Sequence, residues 1–428
     1  MSIIESVVGR RVWDSRGRPT VEAEIRLCGG ATGRAIAPAG ASTGSAEAVD
    51  RRDGGNAFGG LDVQGALRAV NGEIAALLVG RDAGDQAALD ASLVALDGTP
   101  NKSRLGGNAL VATSLAIAHA AAAARGLPLW RHLGGGREDS LLPLPEVQIF
   151  GGGAHAGRRV DVQDFMVVAV GAADYAQALE WTAEVYRAAG QLMSEAGLLA
   201  GVADEGGWWP AFDSNRQALD FLLRAIERAG YVPGQDVAIS LDIAASDFGC
   251  GGRYRLAREG REVDSDGMAE MLLDWLARYP IVAIEDPLAE DDAEGLRKFT
   301  AAAGERVEVV ADDFICTSAR RIAAAAAMGA CNTALIKPNQ AGTVSETLAA
   351  FDAARAAGWN AIVSARSGET EDVSIVHLAV GWGATQLKVG SFARSERMAK
   401  WNEGLRIAEA LGQGGGRLAP PAGFPWGR

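Results

Sequence analysis

Pro280–Pro287 reads PIVAIEDP, a short unbroken apolar run with β-branched Ile281, Val282 and Ile284 that stops at Glu285, Asp286 and Pro287. A run of this length without polar alternation fits a strand buried on both faces, as in a parallel sheet covered by helices. A charge at the last position of such a strand has to emerge at the end of the sheet. The same pattern recurs on either side: VAISLDIAAS from Val237, VEVVADD from Val307, TALIKPN from Thr333, NAIVSARSGE from Asn360 and TQLKVGS from Thr385, each followed by a helical stretch. Their polar ends, Asp242, Glu285, Asp312, Lys337, Arg366 and Lys388, return at about the spacing of a β/α unit. The pattern predicts a closed parallel barrel with these side chains gathered at one mouth.

Toward the N-terminus the character changes. VEAEIRL alternates as a half-buried strand does, a Gly/Ser/Thr loop follows at Pro38–Gly44, and alanine and leucine then recur with helical spacing. Residues 1–135 are therefore expected to form a small α+β unit and residues 140–428 the barrel, giving an α/β protein overall. The Gly-, Pro- and charge-rich stretch near residues 135–142 has the composition of a linker. The segment after Gly412, GQGGGRLAPPAGFPWGR, is expected to be flexible or loosely docked.

Composition excludes several classes. The 428 residues are 48% hydrophobic and 22% charged, as in a folded globular protein and unlike a disordered or fibrous chain. The net charge of -13 gives no positive field for following a phosphate backbone, so nucleic acid is not an expected partner. Cys28, Cys250, Cys316 and Cys331 are far apart and form no CxxC pair, which argues against a zinc ribbon or disulfide framework and for a reducing cytoplasm. The opening MSIIESVVGRR lacks a leader pattern. The longest uncharged stretch, from Asn108 to Ala124, is interrupted by Asn108, Thr113, Ser114 and His119, so it reads as a packed helix rather than a membrane span.

The strand-end residues suggest chemistry. Asp242, Glu285 and Asp312 offer hard oxygen ligands with no cysteine or histidine beside them, a set suited to Mg²⁺. Taken singly, each carboxylate is more simply read as the partner of an arginine; three at barrel spacing are not. Lys337, at the end of an apolar run, is expected to have a depressed pKa and to serve as a general base. A Schiff-base lysine is the competing reading, but that chemistry needs no set of three carboxylates. Arg366, Ser367 and Lys388 form a candidate anion clamp. Glu205, in the Gly-flanked loop VADEGGWWP, is a candidate general acid, with Asp204 as a structural neighbour.

Ordered motifs along the whole chain then carry a resemblance: DSRGRPTVE from Asp14, GASTG from Gly40, NKSRLGGNAL from Asn101, DEGG from Asp204, AIEDP from Ala283, ADD from Ala311, RSGETED from Arg366 and ARSER from Ala393. The sequence resembles the enolases. The resemblance implies an N-terminal α+β capping domain on a modified (β/α)8 TIM barrel, a lyase passing through an enolate, and at least a dimer. It implies two Mg²⁺ ions, the first held by Asp242, Glu285 and Asp312 and the second, joined by Ser42, arriving with substrate. Lys337 takes the role of base and Glu205 that of acid. Gln163, Arg366, Ser367 and Lys388 fall at substrate-binding positions, His155 at a mobile-loop histidine, and Asp164 at an active-site carboxylate.

The chain also departs from the family pattern. VSARSGE places Ala365 where enolases carry histidine, Gly151 replaces an asparagine, Asp164 replaces a glutamate, and Pro338 follows the lysine in place of valine. A lost imidazole and a shortened carboxylate are expected to enlarge the pocket. That points to a bulkier or more charged phospho- or phosphono-carboxylate substrate, as in the carboxyphosphonoenolpyruvate synthase type of enolase paralogue, which serves antibiotic biosynthesis. The alternatives are a housekeeping enolase of glycolysis, turning 2-phosphoglycerate into phosphoenolpyruvate, and a catalytically weak enolase-like scaffold.

Overall fold

A computed structural model describes residues 2–135, 140–412 and 416–427. The N-terminal part is an antiparallel meander in which Ile4–Trp13 pairs with Pro19–Leu27, and Pro19–Leu27 with Thr32–Ile36. The alternation in VEAEIRL is realised: Val21, Ala23, Ile25 and Leu27 are fully buried, and Arg26 faces water. Onto this sheet packs the helix Gly107–Ala124. A Cβ on Gly33 would lie 2.2 Å from both the Ala116 carbonyl oxygen and the Ala120 nitrogen, so strand and helix touch backbone to backbone and glycine is required there. The alanine-rich surface of the helix permits that approach. Among the described residues this is the one helix long and apolar enough to cross a membrane, and 83% of that span is buried within the fold.

Eight strands close the barrel: Leu144–Gly151, Asp164–Val168, Ala238–Asp242, Ile281–Glu285, Glu308–Ala311, Thr333–Ile336, Asn360–Ser364 and Gln386–Gly390, the last pairing with the first. The barrel is modified at its second strand, which runs antiparallel to both neighbours. The connection into Asp164–Val168 carries only the short 3-10 turn Gly153–Ala156. With no crossover helix the chain returns in the opposite sense. Asp164 therefore reaches the mouth from the start of its strand, in register with Asp242. A hairpin of Leu199–Val202 and Trp208–Pro210 extends the sheet beside Phe150.

Ala283, Val310, Leu335 and Ile362, one from each of four successive strands, form an apolar cluster of their own. Two positions further along those strands, on the same side of the pleat, come Glu285, Asp312, Lys337 and Ser364. The packed layer thus sets the direction in which the functional side chains project.

The C-terminal segment is docked, contrary to the expectation of a loose tail. The Leu142 amide donates to the Arg417 carbonyl at 2.8 Å. Phe424 is buried against Leu144, Val168, Ala238 and Val282, and its ring stacks on Trp426 at 4.2 Å between centroids. These contacts lie at the end of the barrel away from Asp242 and Glu285. Residues 413–415, and residues 136–139 of the linker, lie outside the described residues.

Candidate active site

One narrow cavity at the barrel mouth is lined by Ser42, His155, Gln163, Asp164, Glu205, Asp242, Lys337, Ala365, Arg366, Ser367 and Lys388. Strand ends deliver Asp242, Glu285, Asp312, Lys337 and Arg366, while loops deliver Ser42, His155 and Glu205. Lys388 comes from the third position of its strand, Gln386–Gly390.

The Lys388 ammonium lies between two carboxylates, donating to Asp242 Oδ2 at 2.7 Å and Glu285 Oε2 at 2.6 Å, with Asp164 Oδ2 at 3.7 Å. Burial opposes its charge, but Asp242 and Glu285 outweigh burial and hold its pKa well above the ordinary value. Two carboxyls against one ammonium leave negative charge in surplus. Burial, then the neighbouring Asp242, pushes Glu285 well above the usual carboxylate range. Glu285 Oε1 is buried and has no hydrogen-bond partner among the described residues. Gln163 Nε2 donates to Asp242 Oδ2 at 3.0 Å.

Lys337 donates to Asp312, whose other oxygen accepts from Gln340 Nε2 at 2.9 Å. The expected depression of the Lys337 pKa is not what the structure gives. Burial does pull it down, yet contact with Asp312, with Glu285 beyond, more than offsets this and the pKa is raised. Asp312 is reciprocally lowered: burial opposes its charge, but Lys337 and Arg366 prevail.

Asp242, Glu285 and Asp312 share the mouth, but the sets whose possible ligand atoms lie within 4.8 Å of one another are different: His155, Asp164 and Glu205, and Asp286, Asp312 and Asp313. The second set has a structural explanation. Asp286 accepts the backbone amides of Asp312 and Asp313, each at 2.9 Å, and so fixes the strand end that presents Asp312. The donor chemistry of the trio nevertheless fits a hard divalent cation, since all its ligands are oxygen and one Glu285 oxygen is buried unpaired.

His155 bridges two acids, with Nδ1 3.2 Å from Asp164 Oδ1 and Nε2 3.8 Å from Glu205 Oε1. Burial would discharge it, but Glu205 and Asp164 raise its pKa to about 9. Asp164, despite burial, is held down to about 2 by His155 and Lys388. Gln148 also donates to Asp164.

Arg366 is fully enclosed, and its guanidinium forks onto Glu47 at 2.9 and 3.1 Å. The same group donates to the Ser42 carbonyl at 2.9 Å and to Asn339 Oδ1 at 3.1 Å. Ser367 Oγ accepts from Arg16 at 3.2 Å. The sequence reading did not single out Glu47, Gln340, Gln148 or Asp286. The signal for Glu47 was an acid isolated in the small-residue loop GASTGSAEA; the others carried none, because their partners are remote in the chain.

Comparison with known proteins agrees with this architecture. Residues 4–133 match the family model "Enolase, N-terminal domain", and residues 139–417 match "Enolase, C-terminal TIM barrel domain". The chain is 47% identical over 425 residues, 99% of its length and 98% of the other's, to the protein named Enolase of Acidothermus cellulolyticus. This overturns the expectation of a carboxyphosphonoenolpyruvate-type paralogue and favours the housekeeping alternative. Ala365 is 7% exposed and lines the same cavity as Arg366 and Ser367.

Proposed function

We propose that this chain, which belongs to the enolase family of Mg²⁺-dependent hydro-lyases, dehydrates 2-phosphoglycerate to phosphoenolpyruvate in glycolysis. The observation that carries the reading is one cavity lined at once by a lysine base candidate, Lys337, an acid candidate, Glu205, and two further buried cations, Arg366 and Lys388. Arg366 and Ser367 hold the phosphoryl group, while Lys388 and Gln163 meet the carboxylate end. Lys337, acting in its neutral form, removes the hydrogen from C2, and a cation held by Asp312 would offset the carboxylate charge that otherwise favours the protonated amine. Hydroxide leaves C3 taking a proton from Glu205, so the products are phosphoenolpyruvate and water. Next to Glu205, His155, itself held by Asp164, positions that acid. Asp242, Glu285 and Asp312 would hold one Mg²⁺, and Ser42 would join a second; the charge they bring stabilises the dianionic carboxylate that a lysine alone could not.

The same reading takes residues 1–135 and 140–428 as the two domains, a homo-oligomer as the working form and the cytoplasm as its site. Incubation with Mg²⁺ and 2-phosphoglycerate, followed by the ultraviolet absorbance of phosphoenolpyruvate, tests it. Turnover at a rate typical of central metabolism is expected. Its absence from folded, Mg²⁺-loaded protein would sink the assignment.

A further inference from the structure

Beside the loop that carries His155 lies a second cavity, of about 310 Å³, whose walls include Arg158, Val160, Asp247, Phe248 and Arg255. Its two arginines come from separate elements, Arg158 from the loop following the turn Gly153–Ala156 and Arg255 from the strand Arg253–Leu256. Among the described residues neither guanidinium makes a hydrogen bond or an ion pair, although most arginines of this chain do. Arg158 has φ +57° directly after Gly157 at +60°, a left-handed backbone that a residue with a Cβ adopts at a cost. Among the described residues neither acid of the wall, Asp161 or Asp247, makes a hydrogen bond or ion pair with these guanidiniums. Asp161 is engaged, accepting the Arg258 amide at 3.3 Å and the Asn215 side chain at 3.2 Å. Asp247 has a buried, unpartnered Oδ2; burial raises its pKa, and the nearby Arg158 opposes that rise. Phe248 and fully buried Val160 supply an apolar wall.

We propose that this cavity is a binding site for a small organic phosphomonoester, separate from the barrel mouth. The two guanidiniums fork the phosphoryl oxygens and the organic body rests on Phe248 and Val160. Because Arg158 closely follows His155, an occupied site restrains the loop that brings His155 to Glu205, so the ligand modulates turnover. That consequence, unlike binding itself, rests on the catalytic reading above.

Phenyl phosphate is the probe, titrated calorimetrically into the full-length protein without substrate, so that the outcome does not depend on enolase activity. The site predicts binding that the double variant Arg158→Ala/Arg255→Ala weakens by about tenfold or more, each single change having a smaller effect. Both arginines are exposed and the variant retains the fold, which circular dichroism checks. If the double variant binds like the wild type, the phosphate is going to Arg366 and Lys388 at the mouth and the proposal falls. It falls equally if the wild type shows no binding at millimolar probe.

Discussion

Replacing Glu47 with alanine removes the one carboxylate that, among the described residues, pairs with the enclosed guanidinium of Arg366. The two hydrogen bonds, at 2.9 and 3.1 Å, join a loop of the N-terminal part to a strand end of the barrel. Each charge-assisted bond contributes about 1.5–3 kcal/mol. Breaking a buried pair by removing one partner costs about 3–5 kcal/mol, because the remaining charge stays desolvated. Both routes centre near ~4 kcal/mol, which for a chain of this length lowers the melting temperature by roughly 3–6 °C. Glu47 Oε1 also accepts the Gly44 amide at 3.0 Å and Gln340 Nε2 at 3.1 Å, so its loss loosens the loop bearing Ser42 as well. If that loop undocks before the barrel unfolds, the same free energy is read as a fall in kcat/KM. Urea unfolding followed by tryptophan fluorescence, together with steady-state kinetics, covers both cases, and Glu47→Gln, which keeps an acceptor without the charge, should lie between. An unchanged midpoint with kcat/KM within about twofold of wild type would refute the idea that this pair secures the site.

Lys337→Ala should lower kcat by about 10²–10⁴-fold and abolish exchange of the C2 hydrogen with deuterated solvent while leaving the circular dichroism spectrum intact; retained exchange would remove Lys337 as the base. The His155 pKa is raised on folding from 6.5 to about 9, so its contribution is fully present below pH 6.5 and is lost as pH rises through about 9. Stability of the metal-free protein should accordingly decline across that interval, by an amount on the order of 3 kcal/mol, and His155→Gln should flatten this part of the profile; an unaltered decline would show that another group is responsible. Phe424→Ala should cost about 3–5 kcal/mol in unfolding free energy while kcat stays unchanged, since the ring lies at the opposite end of the barrel from the chemistry; a fall in kcat at constant stability would contradict that placement.

The barrel was legible because its strands are buried on both faces, so each ends abruptly at a functional side chain. PIVAIEDP and TALIKPN could hardly be read otherwise. The direction of Asp164–Val168 was not legible, since it depends on what the preceding connection lacks rather than on the strand's own residues. Partnerships across the chain were equally hidden. Nothing near Lys337 announces that Asp312 will touch it and reverse the effect of burial on its pKa, nor does anything near Lys388 place it between Asp242 and Glu285. Glu47 and Arg366 are far apart in sequence, and local pattern carries no register between them. The substitution at Ala365 was visible but misleading, because one missing side chain does not by itself define which substrate a pocket takes.

The docking of Phe424 under the barrel bears on how the protein is made. Closure pairs the first barrel strand with the last, and the floor is sealed by Phe424, which follows that last strand in the chain. While a ribosome still holds those residues, the earlier strands have emerged without their final partners, leaving open sheet edges and an uncovered apolar underside. The N-terminal meander, whose pairings are local, can settle early in synthesis; the catalytic half must wait until Phe424 has emerged.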